Sequence, residues 1–199
     1  MRVIAVLCCL LSAELASRPA AAQWRIGLEL MHPHYRGTAV DTSGDPHFRP
    51  GNGVMGTLHL DRIIGSARLG WRLSYAKPGI SLTGRDLTIT DRSVDELLET
   101  GVTVGFRVGG GGIGSSGAVL VDGGPALHLW KVGDEIRARV GGLVDAAYEW
   151  PVSRRFTGTV RLEAMLSKSW FDAADVGPEL RRQLTWRYAW GIGLRYRLT

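Results

Sequence analysis

Residues 184–198 alternate strictly between two kinds of side chain. Apolar or aromatic residues such as Trp186 and Leu194 take every second position, and small or cationic residues such as Arg187 and Arg195 take the positions between them. Successive side chains of a β-strand point to opposite faces, whereas a helix would scatter the arginines around its circumference. The alternation therefore predicts a strand with one apolar and one polar face.

Seven earlier segments show the same two-residue period. One of them, 119–130, is interrupted by Asp122-Gly-Gly-Pro125, and proline in a strand belongs at an edge or a bulge. We count this segment as one long kinked strand, with two short strands as the alternative. No linker divides the chain, so the pattern predicts one all-β domain, an eight-stranded antiparallel up-and-down barrel. The predicted strands are residues 24–30, 53–61, 67–75, 102–108, 119–130, 137–150, 156–170 and 184–198.

The connections between these strands differ in length. Within the second long connection, Ser93 to Glu96 has the spacing of a helix capping box before Leu97 and Leu98, which predicts one helical turn there. The predicted long connections are residues 32–52, 78–100 and 171–183, and the predicted short ones are residues 61–65, 109–117, 133–134 and 151–155.

Residues 1–22 have the features of a secretory signal peptide. A short cationic start precedes the apolar run 3–11, and the alanines at 20–22 offer a cleavage site. The apolar run is about half of the roughly 20 residues that a membrane-spanning helix needs. Both cysteines lie in the predicted signal peptide, so the mature chain 23–199 is expected to contain no disulfide.

Two kinds of barrel have strands with this alternation. In a soluble lipocalin-like barrel the apolar face lines the interior, whereas in an outer-membrane barrel it meets lipid. The aromatic residues favour the second kind. If the first strand starts in the periplasm, they form two belts at the barrel rims, where amphipathic rings suit the level of the lipid headgroups. The predicted belts are Trp24, Tyr148, Trp150, Phe156 and Tyr196 at one rim and Tyr75, Trp170, Trp186 and Tyr188 at the other.

The polar face of the strands is rich in Gly, Ala, Ser, Thr and Arg, whereas the whole chain contains only three lysines. Small residues suit a narrow lumen, and the planar guanidinium of arginine can bridge several acceptors. We therefore predict an interior polar network with more arginines than acids, so that some arginines must lie near the wet ends or meet anions. Its predicted members are Glu29, Asp145, Glu149, Glu163, Arg68, Arg72, Arg107, Arg137, Arg139, Arg161, Arg187, Arg195 and Arg197.

The sequence Gly193-Leu-Arg-Tyr196-Arg-Leu198 resembles the terminal signal of bacterial outer-membrane barrels, glycine-x-x-aromatic-x-hydrophobic. It departs from that signal because Thr199 follows the hydrophobic residue. Together with the strand pattern, residues 23–199 resemble the small eight-stranded outer-membrane barrels of the OmpA/OmpX type. The resemblance implies a transmembrane β-barrel in the bacterial outer membrane, with Gly193, Tyr196 and Leu198 read by the barrel-assembly machinery. It implies no catalytic residues, because proteins of this shape differ in what they do.

Two motifs suggest chemistry only weakly. Residues 112–117 match the glycine pattern of dinucleotide-binding loops, but a strand pattern follows where that motif needs a helix, so a flexible turn is predicted. Histidines and aspartates of the first long connection could bind a metal ion, although a solvated loop is the preferred interpretation. We therefore predict no cofactor and no metal site. The candidate ligands considered are His32, His34, His47, Asp41 and Asp45.

These features predict a monomeric, non-enzymatic outer-membrane protein with a structural role in the envelope or with interacting outer loops. A lumen this narrow is filled by side chains, so an open pore is not expected. The expected partners are outer-membrane lipids and lipopolysaccharide. Nucleic acid is not expected, because the arginines point inward and the chain is exported. Two alternatives remain open: a barrel enzyme that modifies lipid A or lipopolysaccharide, and a soluble lipocalin-like periplasmic carrier.

Overall fold

A computed structural model of the protein describes residues 23–41, 47–64, 67–83, 88–91, 95–112, 114–172 and 180–198. The predicted signal peptide, residues 1–22, lies outside this part of the chain. Among the described residues, no helix has the length and apolarity needed to cross a membrane.

Eight long strands and five short ones make up the described fold. Each long strand combines alternating apolar residues with the small, aromatic and β-branched residues that suit a pleated sheet. In chain order the strands are β1 (Gln23–Arg36), β2 (Ala39–Asp41), β3 (His47–Pro50), β4 (Met55–Ile64), β5 (Ala67–Ala76), β6 (Ile80–Thr83), β7 (Thr88–Asp91), β8 (Asp95–Gly112), β9 (Gly114–Val132), β10 (Glu135–Pro151), β11 (Phe156–Ser167), β12 (Leu180–Arg182) and β13 (Thr185–Leu198).

The long strands close into an antiparallel barrel in the order β1-β13-β11-β10-β9-β8-β5-β4. The first and last strands complete the circle, with Trp24 opposite Leu198 and Arg36 opposite Trp186. The short strands form a separate sheet in the order β12-β2-β3-β6-β7. The predicted fold class is therefore confirmed: an all-β, eight-stranded, antiparallel, up-and-down barrel.

The barrel has two different ends. At the turn end, neighbouring strands are joined by the short connections 65–66, 113 and 152–155. At the loop end, three long connections carry the five-stranded sheet, and the fourth is a tight turn at residues 133–134. Gly133 has φ of 59° in that turn, a backbone conformation that glycine adopts without steric cost.

Several strands are longer than the sequence pattern predicts. β1 continues to Arg36, so the first long connection does not begin at residue 32. The predicted helical turn is also wrong, because Leu97 and Leu98 lie in β8 and pair with β5 and β9. Leu97 is buried inside the barrel and Leu98 is exposed outside. Pairing on both sides of the segment outweighs a local capping preference, and Ser93 of that capping box lies outside the described residues.

The interrupted segment forms one strand, as predicted. β9 pairs with β10 along its length, including Pro125 opposite Gly142. On its other side, the ladder with β8 is broken between the pairs Gly101–Ala126 and Val104–Gly123. Proline lacks a backbone N–H and cannot donate to that ladder, so pairs are missing there without a change of register. The register shifts between β8 and β9 lie elsewhere, between Arg107 and Gly109 and between Gly110 and Gly112.

Burial alternates along the barrel strands as the side chains do. In β13, Thr185 and Arg187 are buried while Trp186 and Tyr188 are exposed. The apolar face is on the outside of the barrel, where Leu162 is 63% exposed. The lipocalin-like alternative, which needs the apolar face inside, is therefore wrong for this fold.

Candidate functional site

The interior of the barrel is the most distinctive region of the described structure, because it contains a dense set of buried charges. Side chains of alternate residues from all eight long strands converge there. Six arginines, seven acids and two histidines are buried. These residues are Arg25, Arg68, Arg72, Arg161, Arg187, Arg195, Glu29, Asp61, Glu99, Asp122, Asp145, Glu149, Glu163, His59 and His128.

Inward-facing glycines make room for these long side chains. A Cβ atom on Gly193 would lie 2.3 Å from Cγ of Glu29, and one on Gly27 would lie 2.8 Å from Cγ of Arg195. A side chain at either position would compete for space with a charged neighbour. The small residues of the polar face therefore provide the space that its long charged side chains occupy.

The layer nearest the turn end is centred on Glu149. Arg25 donates from Nη1 to Oε2 of this carboxylate at 2.7 Å, and Arg68 donates from Nη1 to Oε1 at 2.8 Å. Nε of Arg195 lies 3.3 Å from Oε1. Arg68 also donates from Nε to Oδ1 of Asp122 at 2.9 Å. One carboxylate thus contacts three guanidinium groups.

The middle layer is centred on Glu29. Arg161 donates from Nε to Oε2 of Glu29 at 2.8 Å, and Arg195 donates from Nη2 to Oε1 at 2.9 Å. Nε2 of His59 lies 3.1 Å from Oε2 of the same carboxylate. Arg161 also pairs with Asp145. These contacts tie β1, β4, β10, β11 and β13 together across the lumen.

A third layer lies towards the loop end and joins Glu99 and Glu163. Arg187 donates from Nη1 to Oε2 of Glu99 at 2.6 Å and also pairs with Glu163. Arg72 pairs with both acids, with Nη2 at 3.1 Å from Oε1 of Glu99. Nδ1 of His128 lies 2.9 Å from Oε2 of Glu99. Because buried charges are costly unless paired, this arrangement stabilises each one through several partners.

Beyond the third layer, apolar side chains close the loop end of the barrel. Tyr35, Leu97, Trp130 and Trp170 are all almost fully buried and pack together, and we call this cluster the aromatic plug. The ring centroids of Trp130 and Trp170 are 4.9 Å apart. Two smaller apolar clusters are also buried inside the barrel. They are Met31 with Met55, Ala76 and Ala189, and Ala126 with Leu143 and Met165.

The structure corrects the predicted position of Trp170, which is inside the plug and not in a lipid-facing belt. β11 ends at Ser167, so strand alternation no longer sets the direction of the residues that follow. Arg139 donates to the carbonyl oxygens of Ser169 and Trp170 and to Asp172, and these bonds hold the segment over the opening.

Four of the predicted network arginines lie outside the paired layers. Arg107 and Arg197 are exposed at the turn end. Arg137 and Arg139 lie at the loop end, where they contact the segment after β11. The strands extend beyond the enclosed part of the barrel at both ends, so side chains at inward-facing positions there reach solvent. The remaining predicted members are buried inside: Glu29, Arg68, Arg72, Asp145, Glu149, Arg161, Glu163, Arg187 and Arg195.

Sequence reasoning missed four charged members of the interior and overestimated its positive charge. Asp61 has the same parity as the inward residue His59, so the strand period could have identified it. Arg25 follows the outward-facing Trp24 in β1, so the same two-residue period could have identified it as inward-facing. Glu99 was assigned to a loop and Asp122 to a kink, and both lie in continuous strands.

The other predicted belt residues lie on the outer face of the barrel. At the turn end, Trp24 and Phe156 are exposed, and the indole of Trp24 lies under the guanidinium of Arg62 at 5.6 Å. The rings of Tyr148 and Trp150 stack with centroids 6.0 Å apart. Facing outward towards the loop end are Tyr75, Trp186 and Tyr188.

The predicted assembly signal lies in the second half of β13. Gly193 faces inward against Glu29. Tyr196 packs on Phe156 with ring centroids 5.1 Å apart, and Leu198 is exposed opposite Trp24. These positions leave recognition by an assembly machinery as a prediction.

The two weak motifs have structural explanations. Gly112 ends β8 opposite Gly114 of β9, so the predicted turn falls at a hairpin. His32 and His34 lie in β1 and not in a loop, and Asp45 lies outside the described residues. No group of three or more potential metal ligands was found among the residues described.

Comparison with known proteins shows the same fold. No family model matches the sequence, and no curated protein matches it. Neisserial surface protein A matches with a TM-score of 0.58 and 10% identity, covering 88% of this chain and 97% of that protein. The outer membrane protein OprG from Pseudomonas aeruginosa matches with a TM-score of 0.55 and 9% identity, covering 89% and 96%. The chain therefore has the architecture of the small outer-membrane barrels that its sequence resembles.

Proposed function

We propose that the protein is a non-enzymatic barrel of the bacterial outer membrane, which holds a small sheet outside the cell on a sealed, rigid support. The observation that carries this proposal is the combination of an apolar exterior with an interior filled by ion pairs. An apolar exterior suits lipid, and a closed barrel leaves no strand edge unpaired in the membrane.

The ends of the barrel support one orientation. β1 begins and β13 ends at the turn end. Outer-membrane barrels have short periplasmic turns and longer external loops. The turn end then faces the periplasm, and the loop end with its five-stranded sheet faces outward. Membrane fractionation with a heat-modifiability gel tests the location, and recovery of the folded chain as a detergent-free soluble protein would contradict it.

The proposal includes a lumen closed to ions. Support comes from the aromatic plug at one end and from the three paired layers beneath it. The purified barrel reconstituted in a planar bilayer is expected to produce no discrete conductance steps. Reproducible single-channel steps from the folded wild-type barrel would contradict a sealed interior.

A structural role is also supported by the burial and the contacts of the two interior histidines. His59 and His128 are buried, and each contacts a carboxylate that is already shared with arginines. Neither imidazole is exposed on the outer surface, where a lipid substrate would meet the barrel. Lipid analysis of cells that lack the protein is therefore expected to show an unchanged lipid A and phospholipid profile. A changed acyl pattern that the wild-type gene restores would favour the enzymatic alternative.

Lipopolysaccharide is the proposed lipid partner at the loop end. A cleft of about 610 Å³ there is lined by Arg139, Lys168 and Arg182 together with the apolar side chains of Val140 and Leu184. This mixture suits a glycolipid whose phosphates meet cations and whose acyl chains meet the barrel. Replacing Lys168 and Arg182 together by Gln is expected to reduce lipopolysaccharide retained on the purified barrel, with no change in its heat-modified migration. Unchanged retention would contradict this contact.

A further inference from the structure

The turn end of the barrel contains a partly enclosed cavity of about 460 Å³. Its polar lining consists of Arg25, Arg68, Arg107 and Glu149, and Ile63 and Leu120 contribute apolar walls. We call it the mouth pocket. It lies at the opposite end of the barrel from the aromatic plug, and it is separate from the lipopolysaccharide cleft.

The charges of the interior are unevenly distributed along the barrel. The middle and third layers, which lie deeper in the barrel than the mouth pocket, contain Arg72, Arg161 and Arg187 against four acids. The turn-end layer contains Arg25 and Arg68 against Asp122 and Glu149, and Arg195 bridges it to the middle layer through Glu149, Asp61 and Glu29. At the rim, Arg107 and Arg197 have no carboxylate partner among the described residues. The excess of positive charge at the turn end therefore lies at the rim, and the interior as a whole has none. The four acids of the deeper layers are Glu29, Glu99, Asp145 and Glu163.

Two cations of the mouth pocket keep donors without a partner. Glu149 contacts Arg25, Arg68 and Arg195 at once. Arg68 also pairs with Asp122, and Arg195 also pairs with Asp61 and Glu29. Arg25 is only 7% exposed, yet its Nε donor has no hydrogen-bond partner. No carboxylate in the described part of the chain pairs with Arg107. Guanidinium donors therefore remain for a ligand.

The register of the closing strands adds an independent observation. Arg25 of β1 lies directly opposite Arg197 of β13, and both have the inward parity of their strands, with Arg25 buried and Arg197 exposed. Like charges placed opposite each other across a strand pair are destabilising. An anion at the rim would relieve the part of that repulsion that Glu149, bonded to Arg25 at 2.7 Å, does not offset.

We propose that the mouth pocket binds a phosphate group, with Arg107 and Arg25 as its principal ligands. The planar fork of a guanidinium matches the oxygens of a phosphate, and a phosphate carries roughly one to two negative charges near neutral pH. That charge matches the excess at this end better than a single carboxylate does. The group can come from free phosphate or from a phospholipid headgroup that bends over the rim.

The test uses calorimetric titration of inorganic phosphate into the folded full-length mature chain, in phosphate-free zwitterionic detergent at constant ionic strength. Saturable binding is expected for the wild type. Arg107→Gln is expected to weaken binding by about tenfold or more, because it removes charged donors. Arg107 is exposed and unpaired, so this variant is expected to keep its heat-modified migration. Arg62→Gln removes an exposed arginine from the outer face at the same end and is expected to leave binding within about twofold of the wild type.

A second arm distinguishes the two sources of phosphate. The titration is repeated in nanodiscs of phosphatidylcholine and in nanodiscs that contain phosphatidylglycerol. Binding in both indicates a site for the free ion. Loss of inorganic phosphate binding only with phosphatidylglycerol indicates a site that the anionic lipid occupies. Absence of saturable binding by the wild type in detergent and in both nanodiscs would overturn the proposal, as would equal weakening by Arg62→Gln and Arg107→Gln.

Discussion

At the scale of single residues, the interior of this barrel depends on carboxylates that serve several cations. Glu149 contacts three guanidinium groups and Glu29 contacts two, together with an imidazole. Losing Glu149 therefore takes a partner from three buried cations at once and leaves Arg25 with only Asp61, 3.9 Å away, among the described residues. Such a loss costs more than the pair itself contributes, because the uncompensated charge remains in a region of low dielectric.

Replacement of Glu149 by Gln is expected to lower the free energy of unfolding by about 3–5 kcal/mol. The measurement is urea unfolding of the barrel in phospholipid vesicles, followed by tryptophan fluorescence.

Glu135→Gln is the matched control for this change. Glu135 pairs with Arg137 at 2.7 Å, but its side chain is 70% exposed. An exposed ion pair contributes about 0–1 kcal/mol, so the control is expected to unfold close to the wild type. Equal stability of the two variants would show that Glu149 is not a centre of the turn-end layer.

At the scale of elements, β8 and β9 are held together despite a broken ladder. The backbones of Gly124 and Val102 approach closely at the break. A Cβ on Gly124 would lie 2.0 Å from the carbonyl oxygen of Val102. Glycine is therefore required at position 124 because the backbone of the neighbouring strand leaves no room for a side chain, and not because of its own backbone conformation.

Gly124→Ala is expected to destabilise the barrel by about 1–3 kcal/mol, because either strand must shift to admit the methyl group. Gly56→Ala provides the control, since a Cβ at that outward position has no neighbour within 4 Å. It is expected to change stability by less than about 0.5 kcal/mol. Unfolding midpoints in the same vesicles measure both, and a tolerated Gly124→Ala would argue against the close approach.

At the scale of the whole molecule, the direction of the apolar face decides where the barrel can exist. Leu162 and Trp190 are side by side in register on neighbouring strands, and both are more than half exposed on the outer surface. A surface of this kind is stable against hydrocarbon and unfavourable against water. The polar interior is correspondingly protected from lipid by the closed sheet.

Leu162→Arg is expected to impair insertion, because an arginine facing lipid near the bilayer midplane costs about 2–4 kcal/mol. The folded fraction in vesicles, read from heat-modified migration, measures the effect. Val152→Arg adds the same side chain in the exposed turn at residues 152–155, and it is expected to insert like the wild type. Normal insertion of Leu162→Arg would contradict the proposed position in the membrane.

The sequence was most informative where the structure is most regular. The period of β13 predicted both of its faces, and turn residues predicted the hairpins near Gly112 and Gly133. It was least informative at strand ends. Leu97 was assigned to a helical turn and Trp170 to a lipid-facing belt, because a local pattern does not show whether a neighbouring strand is present to extend pairing or has already ended.

The sequence by itself determined which side of each strand is apolar, because alternation is a property of consecutive residues and needs no partner. It did not determine which charges meet. Glu29 and Arg195 are 166 residues apart, and they come within hydrogen-bond distance only because β1 and β13 close the barrel. The near balance of charge inside, the excess at the mouth pocket and the aromatic plug all follow from that closure. They depend on which residues lie close together in space, and a pattern of consecutive residues does not contain that information.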